Sequence, residues 1–206
     1  MSPIGFATIG GLLIYLTAFA LMSRLAARAA GRSIWLLGRA EGRDRWSAWG
    51  FRLAFALAFL GPFAQAVVPA LREADPIWRG TGSPGWGLPA YLLAVMGALL
   101  ALAGQVAMGA SWRVGVAADA VGELVTGGPF EVSRNPVFVG QLLLLGGVAL
   151  AVPSLPGSAA VLLFWLSARA QVRSEERLLV ARHGDRWRAY AARVPRWLGL
   201  PRRGAA

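Results

Sequence analysis

Three blocks of the chain, residues 3–23, 51–71 and 86–110, run for more than twenty residues almost without a charged side chain. No other feature constrains the fold as strongly. A helix of about 20 apolar residues crosses the ~30 Å hydrocarbon core of a bilayer. Lipid offers the backbone no partners, so such a segment must satisfy its own N–H and C=O groups. Two shorter apolar stretches, 136–152 and 156–172, contain Pro or Gly. The pattern predicts an all-α, polytopic membrane bundle of about five transmembrane helices. Spans and loops use up the 206 residues, which predicts one domain. Three N-terminal spans fill 1–110, and a region of two shorter spans and a C-terminal helical cap fills 111–206.

Arginine placement predicts the orientation. The formal charge is +11, and lysine is absent. Arg24, Arg28, Arg32, Arg39, Arg43, Arg45 and Arg52 follow the first span. Arg72 and Arg79 follow the second, offset by Glu73 and Asp75, and no Arg stands near Pro153 and Pro156. The tail from Arg173 to Arg203 holds nine. The positive-inside rule then puts the first and third loops and the tail in the cytoplasm, with the N-terminus outside. This is the pattern of an integral protein of a bacterial inner membrane, and the first apolar run reads as a retained anchor. Basic residues beside spans speak for topology and membrane lipids, not nucleic acid.

Composition also closes several chemistries. Without Cys there is no disulfide, thiolate site or cysteine nucleophile. One histidine, His183, cannot ligate a haem from both sides. No metal site is expected. Trp35, Trp46 and Trp49 fall among the arginines of the first loop, where Trp suits the headgroup level. The segment 33–39 reads as a short interfacial helix. In the tail, Leu179, His183, Trp187 and Tyr190 share one face of a helix expected over 174–193, with Gly184 as a potential break and Pro195 as the stop.

Two polar clusters beside the spans mark candidate chemistry, because polar groups there are costly. The first is Gly127-Gly128-Pro129-Phe130, then Arg134-Asn135-Pro136-Val137-Phe138-Val139-Gly140. Pro136 suits the first turn of the fourth span and Asn135 its N-cap. Turn and cap chemistry alone accounts for both. The second is Arg169, Arg173, Glu175 and Glu176, where an Arg173–Glu176 pair on one helix face is geometrically easy.

Taken together the clusters resemble the cofactor signature of the integral membrane methyltransferases, which include isoprenylcysteine carboxyl methyltransferase and phospholipid methyltransferases. That signature runs Arg-His-Pro-x-Tyr-x-Gly, a hydrophobic stretch, then Glu-Glu. Here it is Arg134, Asn135, Pro136, Phe138 and Gly140, then Glu175 and Glu176. The resemblance covers roughly 104–198. It implies S-adenosylmethionine as cofactor, with its aminocarboxylate at the backbone of Asn135 and Pro136. Glu175 and Glu176 would hold ribose hydroxyls or the ammonium group. Gly128, Pro129 and Phe130 would shape the cofactor wall, and Gly140 would permit close approach of a helix or the cofactor. Asn135 and Phe138 depart from the family's His and Tyr, removing an imidazole and a hydroxyl.

The implied reaction is methyl transfer to a lipophilic or lipid-modified acceptor at the cytoplasmic face. A carboxylate acceptor is ionised near pH 7 and needs no base. Arg169 and Arg173 are the catalytic candidates, placed to fork onto such an anion. Two alternatives stand beside this reading: an NADPH-dependent reductase of the sterol-reductase type, and a non-catalytic membrane subunit.

Overall fold

The computed structural model describes residues 1–31, 34, 36, 42–81, 85–115 and 122–200. Helix α1 (Pro3–Ala30) begins where the Ser2 side chain accepts the Gly5 N–H, and stops at Gly31 in the left-handed region. Next come α2 (Gly42–Val67), two short Pro-started helices α3 (Pro69–Ala74) and α4 (Pro76–Thr81), and α5 (Gly87–Met108). Short 3-10 turns at Gly109–Ser111 and Gly128–Glu131 precede α6 (Pro136–Ala151) and α7 (Leu155–Arg193). The protein is an all-α membrane helix bundle. Three stretches, Pro3–Ala29, Asp44–Val67 and Gly87–Ser111, are long and apolar enough to cross a membrane. Helix α6 is apolar but has 16 residues, roughly 24 Å at 1.5 Å per residue.

Several boundaries differ from expectation. The second span is not 51–71: α2 starts at Gly42 and ends before Pro69, whose ring cannot continue it. Trp46 and Trp49 therefore stand exposed on its first turns rather than in a loop. The stretches expected as a fifth span and a separate tail helix form one helix of 39 residues, because nothing between 172 and 174 interrupts its ladder, and it is not among the helices long and apolar enough to cross a membrane. Its irregularity comes later, at Gly184 (φ 53°), the anticipated break. Most of the interfacial helix expected over 33–39, with Trp35, lies outside the described residues. Ile34 and Leu36 are not helical; their backbones bridge to both sides of Val114.

The tightest packing is between α5 and α6. A Cβ on Gly140 would fall 2.6 Å from the Gly97 carbonyl oxygen, and one on Gly147 would fall 2.6 Å from that of Ala90. The two backbones touch because no side chain separates them, the device by which membrane helices gain dispersion contact without a hydrophobic drive. Around this pair, α1 packs on α5 and α2 packs on α7, whereas α1 and α2 scarcely meet. Leu12, Tyr15, Ala54, Leu144, Leu145, Val148 and Phe164 fill the core between them.

At the end of the bundle where α2 finishes and α7 begins, Asp75 acts as a hub. Its carboxylate accepts the backbone N–H groups of Ile77, Trp78 and Leu155 and the side-chain amide of Gln65. Burial alone would raise its pKa; the four hydrogen bonds outweigh that and hold it below the usual carboxylate range.

Two stability outcomes follow. Gly140→Ala overpacks the α5–α6 seam and costs about 1–3 kcal/mol, read as a lower melting temperature of the detergent-purified protein. Asp75→Ala strands several donors and costs a similar amount, about 1–3 kcal/mol, with ligand binding at the opposite end of the bundle unchanged.

Candidate cofactor and acceptor cavity

The α5–α6 seam fixes where α6 begins, and a cavity of about 400 Å³ opens at that point. One end is polar. Arg113, Glu123, Arg134, Asn135, Glu175 and Glu176 line it, with Arg52 contributed by α2. The other end is aromatic and lies between the spans: Tyr15 and Phe19 of α1, Phe51 and Phe55 of α2, and Phe138 of α6. Phe51 and Phe138 stack with centroids 5.6 Å apart.

Glu176 is the anchor of the polar end. Arg134 Nη1 lies 3.0 Å from one of its carboxylate oxygens. Arg196 forks onto both, with Nε at 3.0 Å and Nη2 at 2.6 Å. Arg134 also lies over the Trp187 ring, 5.6 Å from its centroid. The segment after Pro195 is thereby tied across the entrance of α6. Three further bonds hold it there: Arg134 N–H to the Pro195 carbonyl, the Asn135 side-chain amide to the Arg196 carbonyl, and Gly199 N–H to the Val132 carbonyl. Pro136 takes the first turn of α6 as anticipated. Asn135 holds the N-cap position, but its side chain does not cap; it is spent on Arg196. The first N–H groups of α6, on Val137 and Phe138, have no side-chain cap.

Glu175 differs from its neighbour. It accepts one hydrogen bond, from Gln171 at 2.8 Å, and among the described residues it forms no ion pair. Burial pushes its pKa up, and the nearby Arg113 charge and the Gln171 bond offset this in part. A desolvated carboxylate with one neutral partner is short of positive charge.

Phe130, Trp187, Tyr190 and Val194 pack together, and the first three line the cavity. The Tyr190 hydroxyl donates to the Phe130 carbonyl at 2.7 Å. Burial raises its pKa to about 12, so it remains a donor at neutral pH. The helix face read as Leu179, His183, Trp187 and Tyr190 does turn inward here. His183 sits 3.1 Å from the Gly122 carbonyl, outside the cavity lining.

The predicted site residues divide into groups. Phe130, Arg134, Asn135, Pro136, Phe138, Glu175 and Glu176 converge on the cavity. Gly128 and Pro129 do not line it; they form the 3-10 turn that delivers Phe130. Gly140 serves helix approach, facing α5. Arg169 and Arg173 are exposed on α7 and do not reach the cavity. Each is two residues from Gln171 or Glu175, roughly half a turn round the helix. Arg169 lies instead over Trp165. The expected Arg173–Glu176 pair is likewise replaced by Arg134 and Arg196. Tyr15, Gln141, Arg113 and Arg196 were missed, since each lies in a different segment and none has a motif.

Residues 87–186 match the family model of phospholipid methyltransferases. Over that stretch the chain is similar to the phospholipid methyltransferases. No curated protein and no solved structure matches the chain. The membrane methyltransferase resemblance seen in the signature thus holds over α5, α6 and most of α7. The match starts earlier than the resemblance, taking in all of α5, and stops before Trp187. The family region does not build the cavity alone. Tyr15, Phe51 and Phe55 come from before it, and Trp187, Tyr190 and Arg196 from after it.

The two glutamates should separate by experiment. Glu176→Gln leaves two arginines short of their counter-charge and lowers the melting temperature. Glu175→Gln removes a desolvated charge and leaves the melting temperature unchanged or higher, as thermal unfolding in detergent would record.

Proposed function

We propose that this protein transfers a methyl group from S-adenosylmethionine to a lipophilic acceptor, a carboxylate in preference to an amine, at the cytoplasmic face of a membrane. One observation carries the reading. A single cavity joins a charged end, made by the family signature, to an aromatic end between the spans. The arginine asymmetry of the sequence supports the orientation, with the charged end inside.

The residues fit the cofactor. Among the described residues Glu175 forms no ion pair, and S-adenosylmethionine carries an ammonium and a sulfonium. The uncapped N–H groups of Val137 and Phe138 suit its carboxylate. Glu176 is committed to Arg134 and Arg196 and acts as the brace of this wall. When bound, S-adenosylmethionine supplies a methyl group already activated on sulfur. The protein's part is alignment and exclusion of water. Phe51, Phe55 and Phe138 keep the inner end apolar, and Arg196 braces Glu176 at the polar end.

A carboxylate acceptor has no proton to lose. Its oxygen bonds to the methyl carbon as the sulfur–methyl bond breaks, and a positive and a negative charge cancel in the low-dielectric chamber. Arg52 and Arg113 line the cavity where Arg169 and Arg173 do not, and they are the cations available to an anionic acceptor. An amine acceptor would need a base, and among the described residues no carboxylate lines the aromatic end. The seam between α1 and α2 is the route from the bilayer.

Calorimetry on the purified chain should show S-adenosylmethionine binding that weakens as pH falls through the raised Glu175 pKa, above the ordinary carboxylate range. Glu175→Gln should bind at least tenfold more weakly and lose that pH dependence. Labelled methyl groups transferred into a membrane lipid extract should be released by alkali, as esters are. Alkali-stable N-methyl products would reverse the acceptor assignment, and response to NADPH alone would reverse the cofactor.

A further inference from the structure

The inner end of the cavity lies among membrane spans, yet it contains two uncharged polar side chains in contact. Gln141 Nε2 lies 2.7 Å from the Tyr15 hydroxyl. Tyr15 is 2 % exposed and Gln141 7 %, and both line the cavity wall. A phenol and a primary amide carry three donor hydrogens between them. The contact uses one. Whichever way the amide is turned, a donor of the pair is left facing an apolar chamber, where an unmet hydrogen-bonding group is costly.

Nothing in the packing of the bundle requires the pair. A Phe and a Leu would fill the same space, as Phe19 and Phe55 do beside Tyr15. Its neighbours are otherwise apolar: Leu16, Phe19, Phe51, Phe55 and Phe138. Tyr15 also borders a second, apolar cavity of about 230 Å³ between α1, α5 and α6. A group with a hydrocarbon chain on one side and an oxygen at its head meets its hydrogen-bonding contact where these spaces adjoin.

We propose that Tyr15, held by Gln141, positions the methyl acceptor by donating a hydrogen bond to an oxygen of its head group, selecting oxygen-bearing lipophiles over amines. This rests on the methyl-transfer reading above. A carboxylate offers two oxygens, so one can accept from Tyr15 while the other is methylated. A neutral amine has one lone pair, which the reaction itself requires. Tyr15 belongs to α1, outside the family region, so this contact is a property of the present chain rather than of the matched segment.

The test uses the full chain, S-adenosylmethionine carrying a labelled methyl, and a total membrane lipid extract. Tyr15→Phe keeps the ring and its stacking. It should lower kcat/KM for the extract about tenfold, with cofactor affinity by calorimetry within twofold of the parent. Tyr15→Phe leaves Gln141 unpartnered, so the double variant Tyr15→Phe/Gln141→Leu serves as control. It should melt like the parent and remain impaired. Recovery of the parental rate in the double variant would show that the pair matters only for packing and would overturn the proposal. So would an unchanged kcat/KM in Tyr15→Phe. Failure of the parent chain to bind S-adenosylmethionine would instead bring down the reading on which the proposal rests.

Discussion

Backbone-to-backbone contact between α5 and α6 is the constraint from which the arrangement follows. Helices in lipid gain little from hiding apolar surface, so they associate through close packing. Gly97, Gly140 and Gly147 let these two approach without side chains between them. The contact leaves α6 little freedom to slide or rotate. It thereby sets the position of Pro136, of the uncapped N–H groups behind it, and of Phe138. The looser partners are then arranged around a rigid pair: α1 against α5, and α2 against the long α7.

A second consequence is the division of labour between adjacent glutamates. On a helix, neighbouring side chains point about 100° apart, and here they meet opposite circumstances. Glu176 turns toward two guanidinium groups and stiffens the wall. Glu175 turns toward Gln171 and the cavity, where the nearby Arg113 charge and the Gln171 bond only partly offset its desolvation. The same motif letter repeated twice thus gives one ion-paired brace and one cavity-lining carboxylate. An acid pair equally solvated on both members would do neither.

Much of this was legible in the residues. Long apolar runs fixed the bundle, and Pro136 and the paired acids located the polar end. What stayed illegible has a common physical cause. Arg113, Tyr15 and Gln141 reach the cavity, and Arg196 reaches Glu176 in its wall, only through tertiary approach of segments up to 126 residues apart, and periodicity within a segment is silent on that. Arg169 and Arg173 illustrate the converse: position along the chain does not fix the direction around the helix axis, and both point away from the cavity. Asn135 shows a local rule overruled, since its amide finds a carbonyl of the distant tail before it finds its own helix.

The tie between Asn135 and the Arg196 carbonyl spans 61 residues, and this has a bearing on how the molecule is made. At roughly 5–20 residues per second, the ribosome delivers Arg196 several seconds after Asn135. Once Ala151 has been added the α5–α6 hairpin is synthesised, while Arg134 still lacks the counter-charge of Glu176 and the ties to the tail. The nascent bundle must settle in the bilayer on hydrophobicity and glycine contact alone, and acquire its chemistry afterwards.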